Sequence, residues 1–292
     1  MEDRPDRAGV GCAGDASMRV YDCFMLYNEA DVLEVRLGEL YDHVDVFVVV
    51  EATTTFAGRP KPQCYRYDDP RWAPFRDKVR LVIVHDLPTF TGAPVGSRWF
   101  AEIMQRNAIL RGLEDAAYED VVIVSDADEI PRGTSVDDAK ALLKQSSRER
   151  SRLRVKFQLE AYQGDATRIE LMLGQWCAPS AVTLQTMINI RAMPNDIRHA
   201  SDEKMRTRTL ENAGRHFCFC GGETTVSDKL DNYSHDEFDQ IPLDVIRERL
   251  HGDGDIFERA AVGIRRVALG DRHPRYLVEN RERLSALTGG DA

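Results

Sequence analysis

The sequence predicts an α/β fold, in which helices cover both faces of a mostly parallel central sheet. In the N-terminal half, apolar β-branched segments alternate with segments of helical periodicity, which is the pattern of βαβ units. The segment Val44–Ala52, VDVFVVVEA, is almost continuously apolar, as expected of a strand that is covered on both faces. A length of 292 residues allows a substantial core.

The N-terminal elements follow this alternation in order. A strand begins at Val20, and the apolar spacing of Asp31–Tyr41 predicts the helix that comes before the strand VDVFVVVEA. The next elements are a strand, a long helix and a buried strand, at Lys78–Asp86, Arg98–Ala116 and Val121–Val124. The segment Thr89–Ser97, before the long helix, predicts a flexible loop that is suited to closing over a ligand.

The C-terminal half lacks this regular alternation. Arg152–Tyr162 alternates apolar and polar residues, which predicts an antiparallel or edge strand, and Arg168–Trp176 is a candidate partner strand. Helices are predicted at Asp137–Gln145 and Leu243–Leu250. We therefore predict a disordered tail over residues 1–17, one α/β domain over 18–240 and a helical C-terminal extension over 241–292.

The composition excludes several classes of partner. A net charge of −10 argues against a nucleic-acid-binding protein, which needs a basic face. No apolar run reaches the roughly 18 residues of a membrane span, and the polar N-terminus lacks the apolar core of a signal peptide. The six cysteines are scattered, which fits a reducing compartment. We predict a cytoplasmic protein without transmembrane segments, and we leave peripheral membrane contact and the oligomeric state open.

An apolar strand ends abruptly in carboxylates within Val121–Arg132, VVIVSDADEIPR, and we call its segment Ser125–Glu129 the acidic tip. Ligands of open α/β sheets bind at the carboxyl ends of strands, where the burial of VVIV places Asp126, Asp128 and Glu129. Carboxylates this close repel one another unless a cation compensates them. Hard oxygen ligands suit a Mg²⁺ or Mn²⁺ ion that also binds substrate phosphates. The alternative is that these acids only cap the turn that follows.

The spacing of the acidic tip alone does not distinguish glycosyl transfer from nucleotidyl transfer or phosphate hydrolysis. Four ordered segments are more specific: YNEADVLEVRLGELYDHVDVFVVVEATTTFAGRPKP, WFAEIMQRN, VVIVSDADEIPR, and GRHFCFCGGE followed by KL and YSHDEF. Together they span roughly Tyr21 to Asp239 and resemble glycosyltransferase family seventeen. The chain departs from that family at Gly214-Arg215-His216, where the family usually has Gly-Trp-His, so a sugar-stacking role at this position is in doubt.

The resemblance implies a Rossmann-like GT-A fold, a nucleotide-sugar donor, a carbohydrate acceptor and inversion at the anomeric carbon. It also implies a divalent metal ion, Mn²⁺ or Mg²⁺, and the donor is UDP-N-acetylglucosamine in the enzyme that typifies the family. One alternative is a nucleotidyltransferase of related fold, which usually carries a Gly-rich phosphate loop with a basic residue near the first strand. The segment YNEADVLE has neither. The other alternative is a non-catalytic nucleotide-sugar-binding protein.

Four side chains are candidate metal ligands. Asp128 is the expected direct ligand, and Asp126 is expected to contact the metal, its bound water or the ribose. His216 follows a turn and opens an apparent strand, HFCFC, from which it could reach the metal. His235, in YSHDEF, is the competing candidate. A lone histidine is more often structural, and that stays the alternative for both.

Residues at the ends of the first two strands are candidate donor contacts. Asn28 and Glu29 are expected near the nucleotide base or the ribose, although both also suit a helix N-terminus. Glu51 could accept a hydrogen bond from the uracil N–H or pair with a nearby basic residue. Arg106, on the long helix, is a candidate for the diphosphate, or for an ion pair with Glu102 four residues earlier.

Inversion requires a general base near the acceptor hydroxyl. Glu223, Asp236 and Glu129 are the candidates, and no feature of the sequence chooses among them. Glu223 follows Gly221 and Gly222, so the alternative for Glu223 is a place in the first turn of a helix, where a carboxylate is favoured by the helix dipole.

Overall fold

The computed structural model describes residues 17–88, 97–171, 176–199, 203–234, 241–252, 254–259 and 262–289. Within these residues, ten strands form one sheet. They are β1 (Val20–Leu26), β2 (Val46–Ala52), β3 (Val79–Val84), β4 (Val121–Asp126), β5 (Glu129–Pro131), β6 (Leu153–Gln163), β7 (Arg168–Leu171), β8 (Ser180–Thr183), β9 (Arg206–Cys218) and β10 (Gly263–Arg266).

The helices of the described residues are α1 (Ala30–Leu40), α2 (Arg98–Asn107), α3 (Gly133–Arg148), α4 (Leu184–Ile190), α5 (Pro194–His199), α6 (Glu223–Asn232), α7 (Leu243–His251), α8 (Arg275–Glu279) and α9 (Ser285–Thr288). The long helix predicted to end at Ala116 instead ends at Asn107 and tightens into a 3₁₀ turn over Ala108–Gly112. The predicted closing loop lies mainly outside the described residues, at 89–96.

The strand order confirms the predicted α/β class with a mostly parallel sheet. β3, β2, β1 and β4 lie side by side and parallel, and β8 joins β4 in the antiparallel direction. β6 follows β8, and β9 pairs parallel with β6 and antiparallel with β5. The parallel half therefore brings the carboxyl ends of β1, β2 and β4 to one edge, directly beside the acidic tip.

Both faces of the sheet are covered, which is why its central strands are apolar without alternation. Along β2, Phe47 and Val49 belong to the cluster beneath α1 and α3, whereas Val48 and Val50 belong to the cluster beneath α4 and α5. Within the described residues, no helix combines the length and the apolar character that crossing a membrane requires.

The C-terminal extension contains the predicted helical segments and also a strand, β10, which the sequence did not predict. β10 pairs antiparallel with β7 at the edge of the sheet. Leu277, Leu284 and Leu287 are buried in the same cluster as α1, so the extension contributes to the main core. The boundary placed at residue 240 stays a prediction.

We expect Gly214→Ala to destabilise the fold by about 1–3 kcal/mol, because β9 passes close to β5 at this residue. An added Cβ would clash with the carbonyl oxygen of Ile130 and lie 2.6 Å from Cα of Pro131, and both atoms are backbone. Urea unfolding measures the loss. Gly270→Ala is the matched control, since nothing lies within 4 Å of its Cβ position. Equal stability of the two variants would contradict the prediction.

Candidate active site

A cavity of about 660 Å³ opens at the carboxyl ends of β1 and β4. This is the edge at which open α/β sheets bind ligands, and the volume is typical of small-molecule sites. Its walls come from separate parts of the chain: the acidic tip, α2, β9, α6 and the C-terminal extension. They contribute Asp126, Asp128, Glu102, His216, Lys229, Phe257 and Arg259.

The acidic tip is held from inside the protein by Arg36 of α1. The guanidinium pairs with both carboxylate oxygens of Asp22, at 2.7 and 2.6 Å, and both side chains are fully buried. The same guanidinium donates to the carbonyl oxygens of Asp126 and Glu129, at 2.9 and 2.8 Å, and to Oγ of Ser125 at 2.6 Å. The backbone of the tip is therefore fixed, and the side chain of Asp126 is directed toward the cavity.

Sequence reasoning missed this pair, although the chain carries a signal for it. Asp22 lies in the middle of the apolar strand VYDCFML, and Arg36 lies on the buried side of α1. A single charge at a position where periodicity requires an apolar residue indicates a buried partner of opposite charge.

Glu129 is fully buried and accepts hydrogen bonds on both oxygens. Arg198 of α5 forms a two-point ion pair with it, and Nε1 of Trp176 also donates to it. The backbone N–H of Asp126 donates to Oε2 of Glu129 at 2.8 Å. Among the predicted bases, Glu129 is therefore committed to positioning Arg198 and the tip, and it does not line the cavity.

Asp126 lies between two arginines and keeps about a third of its side chain exposed, 32%. Its oxygens contact Arg106 at 2.9 Å and Arg198 at 2.8 Å. Burial raises the pKa of the Asp126 carboxyl, but Arg198 and Arg106 outweigh burial and lower it to about 2. Arg106 also pairs with Glu102 at 2.7 Å, which is the i−4 alternative that the sequence left open.

Asp128 contacts different cations. Lys229 of α6 lies 2.8 Å from its Oδ2, and Nε2 of His216 lies 3.6 Å from its Oδ1. Burial raises the pKa of the Asp128 carboxyl, but Lys229 and His216 lower it well below its usual range. Burial lowers the pKa of His216, and Asp128 and Glu129 outweigh that effect and raise it. The structure thus brings Asp128 and His216 together, and their role as metal ligands stays a prediction.

His216 is also held by an aromatic stack. Its ring lies 4.6 Å from the ring of Trp176, centroid to centroid, at 28°. Its Nδ1 is buried and has no hydrogen-bond partner among the described residues. Arg215, which replaces the family's tryptophan, lies 3.3 Å from Glu160 and does not line the cavity, so the aromatic ring beside His216 comes from Trp176.

The residues at the tip fit a divalent cation, although no three His, Cys, Asp or Glu side chains converge on one point within the described residues. Asp128 and His216 face each other, and Asp126 lines the same cavity. Mn²⁺ and Mg²⁺ accept carboxylate ligands, and Mg²⁺ commonly binds through one or two carboxylates with water and substrate phosphates completing the shell. His235 and Asp236 lie outside the described residues.

A second cavity, of about 360 Å³, lies beside the first at the end of β1. Asn28 and Asn232 line it, and their Oδ1 atoms are buried without hydrogen-bond partners in the described part of the chain. The amide of Asn28 donates to Asp228 of α6 at 2.7 Å. Glu29 lines the first cavity and bonds Lys229 at 2.7 Å. Asn28 and Glu29 therefore lie beside the two cavities, and their contact with a nucleotide stays a prediction.

Three other predicted residues, Arg106, Glu51 and Glu223, line neither cavity. Glu51 is fully buried and accepts from Lys61 and from the backbone N–H of Tyr65, at 2.5 and 3.1 Å, so it holds the loop after β2. Glu223 lies in the first turn of α6 and pairs with Arg247 at 2.6 Å. These are the structural alternatives that the sequence left open for both carboxylates.

The sequence of the chain is similar to known glycosyltransferases. The family model described as Glycosyltransferase family 17 matches residues 12–247. The chain is 34% identical over 121 residues to the beta-1,4-mannosyl-glycoprotein 4-beta-N-acetylglucosaminyltransferases of Rattus norvegicus and Homo sapiens, across 39% of this chain and 22% of each relative. It thus spans about a fifth of the length of these relatives.

One solved structure with a distant likeness is glucosyl-3-phosphoglycerate synthase from Mycobacterium tuberculosis, in complex with Mn²⁺, UDP and phosphoglyceric acid. It is 11% identical, with a TM-score of 0.30, over 68% of this chain and 69% of that chain.

We expect Arg36→Met to cost about 3–5 kcal/mol of stability, because it leaves the Asp22 carboxylate buried without a partner. Chemical unfolding measures the loss. Arg283→Met is the matched control: Arg283 also pairs with a buried carboxylate, on Glu34, but its own side chain is 51% exposed. Its loss should stay within about 1 kcal/mol. Similar losses in both variants would show that the burial of Arg36 is not decisive.

Proposed function

The chain belongs to glycosyltransferase family 17, and on that premise we propose that it is a metal-dependent, inverting glycosyltransferase. It transfers a sugar from a UDP-sugar donor to an acceptor hydroxyl of a glycan or glycoside. N-acetylglucosamine is the proposed sugar, by analogy with the curated relatives named above. The cytoplasmic location predicted from the sequence stays part of this proposal.

The observation that carries the proposal is the convergence of Asp126, Asp128 and His216 on one cavity at the strand ends. A nucleoside diphosphate leaves with growing negative charge, and a divalent cation there would act as a Lewis acid toward it. Asp128 and His216 would hold that cation, and Asp126 would contact it or its water. Arg198 and Arg106 keep Asp126 ionised and in place.

The second cavity is the candidate binding site for the nucleoside. Among the described residues, no group donates to the buried Oδ1 atoms of Asn28 and Asn232, and a uracil N–H and ribose hydroxyls are donors of the kind these acceptors require. The two cavities share Tyr27, Thr55, Lys61 and Asn232, so one extended ligand can enter both. We assign the smaller cavity to the nucleoside and the larger one to the diphosphate and the sugar.

Two groups are proposed for the general base. Asp236 stays a proposal from the sequence, and His199 is added because it lines the larger cavity at the end of α5. Partial desolvation, together with the charges of Arg106 and Arg198, lowers the pKa of the exposed His199 imidazole below its ordinary value of 6.5. At neutral pH the ring is therefore uncharged and able to accept the proton of an acceptor hydroxyl.

Thermal unfolding tests the donor site. We expect UDP with Mn²⁺ to raise the Tm, UDP alone to raise it much less, and Asp128→Ala to abolish the effect of the pair. Asp68→Ala is the control, because Asp68 is exposed at 84% and lies in a surface pair with Arg66. Indifference of the wild-type Tm to UDP and metal would refute the proposed site.

A panel of nucleotide sugars identifies the donor by slow hydrolysis. Release of UDP from UDP-N-acetylglucosamine supports the proposal, and preference for another UDP-sugar corrects only the sugar. Turnover of UTP with a sugar phosphate would favour the nucleotidyltransferase alternative instead.

The pH profile tests the base. If His199 accepts the proton, kcat/KM should be flat at neutral pH and fall as the pH drops below 6.5, because protonation removes the lone pair. His199→Asn should lower kcat about 100-fold or more. His43→Asn, which removes a pair with Asp137 away from the cavity, serves as the control. A loss confined to Asp236→Asn would assign the role to Asp236.

A further inference from the structure

The ammonium of Lys229 contacts Asp128, the proposed metal ligand. Its Nζ lies 2.8 Å from Oδ2 of Asp128 and 2.7 Å from Oε1 of Glu29, and only 16% of its side chain is exposed. The ring of Phe219 lies beneath the ammonium, with its centroid 5.2 Å away. The ammonium thus bridges two carboxylates that both line the larger cavity.

A metal ion bound to Asp128 would lie within a few ångströms of this ammonium. Two like charges at such a distance, in a partly dry site, repel each other strongly. Lys229 and the metal therefore compete for Asp128. This competition follows from the contacts of Lys229 and from the metal role that the proposed function gives to Asp128.

We infer that Lys229 is a displaceable counter-ion of the donor site. It neutralises Asp128 when no donor is bound, leaves Asp128 when the metal binds, and then contacts the diphosphate of the same donor. This inference rests on the proposed function, and it adds that metal and nucleotide bind cooperatively through one side chain.

The structure allows Lys229 to move while its surroundings stay. Lysine carries a point charge on a flexible stem, whereas the arginines on Asp126 and Glu129 are planar forks with fixed partners. Glu29 is anchored through Oε2, which accepts from the backbone N–H groups of Tyr27 and Asn28 at 3.1 Å each. The ammonium can therefore keep Glu29 as a fixed partner when it leaves Asp128.

Helix α6 does not depend on Lys229 for its position. Asp228, the preceding residue, accepts from the hydroxyl of Tyr27 at 2.8 Å and from the amide of Asn28 at 2.7 Å. On its inner side, Val226 and Leu230 are buried in the apolar cluster with Phe219. A neutral side chain at position 229 should therefore leave the helix in place.

Manganese binding without nucleotide, followed by the EPR signal of free Mn²⁺, tests the inference. Lys229→Met should bind Mn²⁺ about fivefold or more tightly than the wild type, because the competing cation is gone. The gain in Mn²⁺ affinity on adding UDP should be smaller in this variant. Lys78→Met is the matched control: Lys78 donates to the carbonyls of Tyr41 and Val44, away from the tip, and should change neither value.

Each outcome decides a different question. Equal or weaker binding of Mn²⁺ by Lys229→Met, with binding still lost in Asp128→Asn, would overturn the inference and leave the proposed function standing. Unchanged binding in Asp128→Asn would instead refute the metal role of Asp128 and the proposed function with it. Lys229→Gln gives the same test if the methionine variant does not fold, and a larger Tm increase from Mn²⁺ alone than in the wild type is the second measurement.

Discussion

The active-site edge depends on the buried ion pair between Arg36 and Asp22. A buried pair is stable only when its remaining hydrogen-bonding groups are also engaged, and here the guanidinium is bonded by the carboxylate, by two carbonyls of the acidic tip and by Ser125. The geometry of the site is thus set in the core: Arg36 of helix α1 holds the backbone of the tip, from which Asp126 and Asp128 line the cavity while Glu129 stays buried.

The charge of the tip is balanced by cations from distant segments, and the two kinds of cation differ. Glu129 and Asp126 are held by the guanidinium of Arg198, whose two-point contact with Glu129 fixes an orientation as well as a charge. The charge of Asp128 is balanced by the ammonium of Lys229, which neutralises the carboxylate without fixing its orientation. The site therefore combines a rigid part, which keeps its shape, with one carboxylate that can exchange its partner.

The pattern of apolar residues along the sequence was sufficient to predict the parallel half of the fold and the position of the acidic tip. Both follow from apolar periodicity and from the residue at which a buried strand ends. It was not sufficient for Arg198 and Lys229, which are 69 and 101 positions away in sequence from the tip residues that they contact. Glu51 and Glu223 show a second limit of prediction from sequence, which concerns the orientation of a side chain. Each was placed near the right edge by its position in an element, but its orientation depends on a nearby cation that sequence order does not reveal.

The C-terminal extension bears on whether the shared region, meaning the residues that the family model matches, could form the cavity without it. The family match ends at residue 247, yet Phe257 and Arg259 line the cavity and three later leucines fill the core beneath α1. A chain shortened to the shared region would lose one wall of its own binding site and expose apolar surface. Because Phe257 and Arg259 belong to this tail, changes in the tail would alter the wall of the cavity and leave the acidic tip unchanged.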